Sequence, residues 1–238
     1  MVENRKVYVV IAAAGSGQRL DGNSYKALVK IEGKTILQRV LEVFDKVNIS
    51  IECINVIIPE KADAALFEDL IKGLGIRKQV KITLGGAVRQ LSVYRGIMSL
   101  ECEKEDIVMV HDAARPFVSV ELIERVIDRM EQENVVVPII PITDTIKILG
   151  ENYIEGTLPR EKMGAVQTPQ AFRFGLYERV LQGINIERDI FTDEASLFER
   201  AGIKVAYVKG DRFNIKITYK EDIIIAEYLA DKIIDKVR

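Results

Sequence analysis

The sequence predicts an α/β fold, a mainly parallel sheet with helices on both faces. Short apolar runs alternate with stretches of helical period along most of the chain, as expected of strands buried on both sides by crossover helices. The polar turns AAAGSG, GGAVR and HDAARP each follow one of these runs. In a parallel sheet such turns gather at the carboxyl ends of the strands, where ligands bind. No repeat or low-complexity tract interrupts the alternation.

The first strand is Val7–Ala13, an apolar run that ends in small residues. A helix over Thr35–Val47 follows, with Ile36, Leu37, Val40, Leu41 and Phe44 at helical spacing. Ile54–Ile58 is a second strand, and Ala64–Leu74 a helix closed by Gly75. Val80–Leu84 runs as a third strand into Gly85 and Gly86, ahead of a helix over Arg89–Leu100. Ile107–Val110 is a strand of buried type ending at His111 and Asp112. Ser119 can cap the helix carrying Leu122, Ile123, Val126, Ile127 and Met130. Val135–Ile140 and Val205–Val208 are further strands, and Thr218 with Glu221 has capping-box spacing before a C-terminal helix. Pro141–Gly164 breaks the rhythm. It is polar, with short alternation in TIKIL, and reads as a surface hairpin or a lid.

At 238 residues, 48% hydrophobic and 29% charged, the composition is that of a soluble globular protein. It suits a single domain over 1–238, with 141–164 as an excursion. A net charge of −2 gives no global attraction to nucleic acid or anionic membrane, so phosphate binding must rest on local cations. Cys53 and Cys102 are isolated and read as reduced thiols, not a disulfide or metal site. MVENRKVYVV enters a strand without signal-peptide architecture, and no apolar run could span a bilayer. The expected location is the cytoplasm.

Residues Val7–Leu20, with Lys26 close behind, carry the first chemical signal. Small residues let the main chain approach phosphates, and its N–H groups form an anion-binding concavity. Leu20 stands where a dinucleotide fingerprint needs its third glycine, and the near-Walker run Gly17, Gly22, Asn23, Ser24 lacks its lysine. A nucleoside triphosphate bound in some third way fits best, with an ordinary tight turn as the alternative. Within VMVHDAARPF, Asp112 at a strand end can hold a hard divalent cation, and Arg115 can fork onto a phosphate. The alternative there is a structural Asp–Arg pair or an Asx turn before Pro116. His111, the only histidine, is expected to be structural, since alone it supplies neither a triad nor a metal site. Thr192 as N-cap, with Asp193 and Glu194 in the first turn, is accounted for by helix capping. Lys216 in FNIKIT is either an exposed lysine or an inward cation that needs an anionic partner.

Together AAAGSGQR with Lys26, GG followed by Arg89 and Ser92, VHDAARP, PITDTIK, QTPQAF, TDEAS and NIKIT resemble the 2-C-methyl-D-erythritol 4-phosphate cytidylyltransferases of the non-mevalonate isoprenoid pathway. The resemblance implies a Rossmann-like nucleotidyltransferase fold and a homodimer clasped by a protruding β-arm, residues 141–164. It implies a CTP site of Ala13, Ala14, Gly15, Ser16, Gly17, Gly85, Gly86, Ser92 and Ala113, with Arg19 and Lys26 on the phosphates. Asp112 would hold Mg²⁺ or another divalent cation. Arg115, Thr145, Arg160, Thr168 and Lys216 would address the polyol phosphate, Thr145 and Arg160 from across the dimer. Arg19, Lys26, Arg160 and Lys216 would be the catalytic cations. Tyr25 and Ala27 replace the family's usual proline and glutamine, Ala87 an acid often found after the glycine pair, and Phe213 an aspartate. None of these departures removes a candidate cation or metal ligand. Three other readings are a cytidylyltransferase for ribitol 5-phosphate or a similar polyol phosphate, a Rossmann oxidoreductase, and a non-catalytic nucleotide-binding protein. The oxidoreductase lacks its fingerprint, and Ile58 runs into Pro59–Glu60 without the expected ribose ligand.

Overall fold

β1 (Val7–Ala12) lies inside an eight-stranded sheet in the computed structural model, which describes residues 5–15 and 25–234. Its side chains are apolar on both faces, so both faces are covered. Val7, Val9 and Ile11 point into one core with Leu37, Leu41, Phe44 and Phe67. Tyr8 and Val10 point into the other with Ile57, Ile97, Phe172 and Phe198. This is strand alternation applied to a strand with no polar face. Fully burying side chains of this size contributes roughly 1.5–3 kcal/mol each.

Small elements precede the first helix. β2 (Lys30–Ile31) and β3 (Lys34–Thr35) form a minor hairpin, and α1 (Ile36–Lys46) follows, its first turn capped by Thr35, which accepts from the Gln38 N–H at 3.0 Å. β4 (Ile51–Ile58) begins three residues before the predicted start. α2 (Ala64–Leu74) is capped by Asp63 and ends on Gly75 in the left-handed region at φ 63°, a conformation that glycine adopts without a Cβ penalty. β5 (Val80–Leu84), α3 (Arg89–Met98), β6 (Ile107–Asp112), α4 (Val120–Arg129) and β7 (Val135–Pro141) complete the regular alternation, with Ser119 capping α4 as expected.

The remaining elements depart from simple alternation. β8 (Lys147–Leu149) and β9 (Ile154–Thr157) pair only with each other, so the excursion is a two-stranded hairpin. β10 (Gly164–Val166) and β11 (Gln170–Arg173) were not anticipated. α5 (Phe174–Leu181), α6 (Glu194–Arg200), β12 (Ala206–Lys209) and α7 (Lys220–Leu229) follow. Two predicted caps move. Asp193, not Thr192, caps α6 and forms a box with Ser196. Asp222 replaces Glu221 ahead of α7, its carboxylate accepting from the N–H groups of Thr218 and Tyr219 at 2.7 and 2.8 Å.

The sheet order is β10-β7-β11-β6-β1-β4-β5, with β12 also on β7. β6, β1, β4 and β5 are parallel neighbours, and β12 is parallel to β7. β11 runs antiparallel to both β6 and β7. Register positions the site: Ala12 lies opposite Asp112 on one side and Ile57 on the other. The turns after β1 and β6 are therefore side by side, and Gly85 follows directly on the Ile58–Leu84 pair. Cys53 and Cys102 are free thiols. Among the described residues no helix is long and apolar enough to cross a membrane.

Candidate active site

A cavity of about 380 Å³ opens where these turns meet. Ala13, Ala14 and Gly15 form one wall, Gly86 to Arg89 with Ser92 a second, and Asp112 to Ala114 a third, with Lys26 and Lys216 also facing it. The strand ends are tied across the opening, Ala13 N–H to Ile57 O at 2.9 Å and Ala113 N–H to Ala12 O at 3.1 Å. Gly85 sits behind the wall at a point of close approach. A Cβ there would come within 2.7 Å of Ser92 Oγ, 3.0 Å of Ala14 Cβ and 3.1 Å of Ile58 O. Ser92 is buried, and its Oγ accepts from the Gly86 N–H at 3.0 Å, holding the glycine turn against α3.

Asp112 is the centre of charge. Its Oδ1 accepts from Arg89 Nε at 3.0 Å and pairs with Nη2 at 2.9 Å, and its Oδ2 accepts from Lys216 Nζ at 2.7 Å. Arg89 turns its other edge to Glu194, with Nη1 to Oε1 at 2.8 Å and Nη2 to Oε2 at 3.1 Å. Burial works to raise the Asp112 carboxyl, but Arg89 and then Lys216 more than offset it and hold the group well below the usual carboxylate range. Lys216 is thus an inward cation with an anionic partner.

Behind this layer lies a buried polar network. His111 is completely buried and its Nε2 lies 3.1 Å from the Arg115 carbonyl. A carbonyl only accepts, so Nε2 carries the proton and Nδ1 accepts from the Thr168 hydroxyl at 3.0 Å. That hydroxyl oxygen accepts in turn from the Asp112 N–H at 3.1 Å, and Asn214 Nδ2 donates to the Thr168 carbonyl at 2.8 Å. Burial pushes the imidazole down from 6.5 to about 4, so it is neutral and shares no proton with the cavity. His111 is structural, as expected.

The structure brings Ala13, Ala14, Gly15, Lys26, Gly86, Ser92, Asp112, Ala113 and Lys216 to one cavity. Ser16, Gly17 and Arg19 lie outside the described residues. Thr168 is buried with its hydroxyl in the His111 network. Arg115 donates to Asn214 O at 2.9 Å and Val166 O at 3.3 Å, joining β10 to the segment that carries Lys216. Thr145 and Arg160 are exposed and do not reach this cavity within the chain. Arg160 faces a separate cavity of about 570 Å³ at the base of the hairpin, beside Ile142, Met163 and Tyr207.

Arg89 and Glu194 fall within motifs that the sequence singles out, but the sequence alone assigns neither to the site. A signal for Arg89 existed: a cation in the first turn of a helix opposes the helix dipole and asks for an acidic partner. Glu194 gave none, because an acid at the start of a helix is already explained by that dipole.

Among the described residues no group of three or more His, Cys, Asp or Glu side chains could cage a metal ion. Among the described residues Asp112 is the single acid on the cavity wall, and it is held ionised. That donor set fits a Mg²⁺ ion that takes most of its ligands from phosphate oxygens and water.

The family model for 2-C-methyl-D-erythritol 4-phosphate cytidylyltransferase matches residues 7–232. A protein of that name from Caldicellulosiruptor bescii is 37% identical over 229 residues, covering 95% of this chain and 98% of the relative. One from Halalkalibacterium halodurans is 39% identical over 227 residues, covering 94% and 97%. The crystal structure of 4-diphosphocytidyl-2C-methyl-D-erythritol synthase from Anaerococcus prevotii superposes with a TM-score of 0.83 at 30% identity, covering 96% of this chain and 97% of the other.

Proposed function

Because this chain belongs to the 2-C-methyl-D-erythritol 4-phosphate cytidylyltransferase family, we infer that it transfers the cytidylyl group of CTP to 2-C-methyl-D-erythritol 4-phosphate. The products are 4-diphosphocytidyl-2-C-methyl-D-erythritol and pyrophosphate. The reaction belongs to isoprenoid precursor biosynthesis. The observation that carries the reading is the composition of the cavity. It gathers Lys26, Lys216 and an ionised Asp112 against a small-residue turn, and its neighbouring histidine is neutral and buried.

A site with cations and no general base suits this chemistry. An acceptor phosphomonoester has its second pKa near 6 and is already largely dianionic at neutral pH. One of its oxygens forms a bond to the α-phosphorus of CTP while the bond to the bridging oxygen of the β-phosphate breaks, and the electron pair leaves with pyrophosphate. Catalysis is then positioning and neutralisation of charge. In this reading Lys26, with Arg19, takes the triphosphate over the Ala13–Gly15 backbone, and Gly85, Gly86 and Ser92 shape the cytosine end. Asp112 would hold Mg²⁺, which when bound neutralises phosphate charge. Lys216 and Arg115 serve the acceptor side, while Thr168, buried against His111, holds the main chain of Asp112 in place.

Arg160 and Thr145 enter this reading from a second copy of the chain. The hairpin that precedes Arg160 exposes Leu149, Tyr153 and Ile154, with Tyr153 85% accessible. Apolar groups of that size on an otherwise polar arm favour a buried partner surface, and the twofold homodimer is the simplest way to supply one. The enzyme is proposed to act as a cytoplasmic homodimer.

Incubation with CTP, Mg²⁺ and a panel of polyol phosphates, with pyrophosphate release as the readout, tests the assignment. Turnover with 2-C-methyl-D-erythritol 4-phosphate well above that with ribitol 5-phosphate is the expected result. Preference for another polyol phosphate would overturn the acceptor, and no pyrophosphate with any of them would overturn the transfer.

A further inference from the structure

We propose that Glu194 is a positioning residue for the divalent cation: it neutralises Arg89, so that Arg89 can orient Asp112 without cancelling its charge. The proposal rests on the reading of Asp112 as the cation ligand. Two pairs of donors on one guanidinium support it. The Nε and Nη2 groups of Arg89 both address Oδ1 of Asp112, at 3.0 and 2.9 Å, while Nη1 and Nη2 address the two oxygens of Glu194 at 2.8 and 3.1 Å. An arginine on Asp112 alone would make the pair neutral and leave little field for a dication. With Glu194 on its other edge, Arg89 and Glu194 sum to zero. The negative charge of Asp112 is then left to its second partner, Lys216, on the cavity side.

Burial makes this arrangement electrostatically effective. The Glu194 side chain is 7% exposed and that of Asp112 9%, so water and salt screen the pairs little. Lys216, the other partner of Asp112, is 46% exposed on the cavity side. The two contacts of Asp112 therefore differ in degree: Arg89, 30% exposed on the cavity wall, is held on its other edge by Glu194, whereas Lys216 is the more open of the two.

The fold fixes Glu194 independently of the cavity. It is the first residue of α6, whose start is bolted to β11 by Gln170, which accepts from the Ala195 N–H at 3.0 Å and donates to Asp193 Oδ2 at 2.8 Å. Gln170 in turn lies opposite Val110, two residues before Asp112. The distance from Glu194 to Asp112 is thus set by sheet register.

The test is Mn²⁺ affinity, read by electron paramagnetic resonance with the full chain in excess over CTP. Glu194→Gln keeps the size and a hydrogen-bond acceptor for Arg89 but removes the charge. It should weaken Mn²⁺ binding about tenfold, the usual scale for a group that supports a metal ligand. The double variant Arg89→Gln/Glu194→Gln removes both charges and should return to within about threefold of wild type. A merely structural role would instead leave Glu194→Gln unchanged and make the double variant worse than the single, and either result overturns the proposal. Should Glu194→Gln fail to fold, the double variant decides alone, near-wild-type affinity supporting the proposal and a tenfold loss overturning it. Asp112→Asn separates the underlying reading: unchanged Mn²⁺ affinity there overturns Asp112 as ligand, and Glu194 with it.

Discussion

Lys26 lines the cavity from a short turn outside the sheet, where its charge can meet a bound phosphate. Lys26→Ala should lower turnover at saturating CTP by roughly two orders of magnitude, on the scale of about 3 kcal/mol for a lost electrostatic donor. Its circular dichroism and unfolding midpoint should stay those of the wild type, and a near-normal rate would remove Lys26 from the mechanism. His111 makes the opposite kind of prediction. Its folded pKa is depressed from 6.5 to about 4 because burial disfavours the charged ring, so the neutral form stabilises the fold above pH 6.5. As pH falls from 6.5 towards 4 the unfolded chain takes up the proton and the folded chain does not, and ~3 kcal/mol of stability is lost across that window. Urea unfolding of wild type and His111→Asn between pH 7 and 4 reads this directly: the variant should be less stable at pH 7 but lack that slope. The pH–rate profile should not change its limbs, since the imidazole exchanges no proton with substrate.

The turns after β1, β5 and β6 build the site, and Gly85 is where two of them come closest. Gly85→Ala would place a methyl 3.1 Å from the backbone oxygen of Ile58 and 2.7 Å from Ser92 Oγ, and the backbone oxygen has no rotamer by which to retreat. The expected cost is about 1–3 kcal/mol of stability from overpacking, together with a raised KM for CTP, measurable by thermal unfolding and steady-state kinetics. These turns were legible in the sequence because apolar runs ending in small or acidic residues signal strand ends locally. β11 was not: its four residues carry two polar ends, and their burial comes from β6 and β7, which a local pattern does not reveal. Arg89 and Glu194 show the same limit for the site. They are 105 positions apart, and each has a sufficient local account, so only the fold discloses that they share a charge. The resemblance reached Asp112 and Lys216 separately, while their 2.7 Å pairing is visible only in three dimensions. On the β8–β9 hairpin, Leu149→Glu with Tyr153→Ser should weaken self-association in sedimentation velocity without lowering the unfolding midpoint of the remaining fold.

Taken as a whole molecule, one chain supplies the cavity with Lys26, Asp112 and Lys216, while its own Arg160 faces another opening at the base of the hairpin. A site shared between two chains makes a demand that no within-chain role for Arg160 makes. Lys26→Ala and Arg160→Ala proteins should each retain no more than about a hundredth of wild-type cytidylyl transfer. Mixed under conditions of subunit exchange, they should form heterodimers in which one site holds Lys26 from one chain and Arg160 from the other. Random pairing in a closed twofold dimer puts about a quarter of all sites in that intact state. The most direct measurement is therefore pyrophosphate release from the equal mixture with CTP, Mg²⁺ and 2-C-methyl-D-erythritol 4-phosphate, with exchange followed in parallel by mass-tagged chains. Recovery approaching about a quarter of wild-type activity is the predicted result. Complete exchange with no recovery would contradict it.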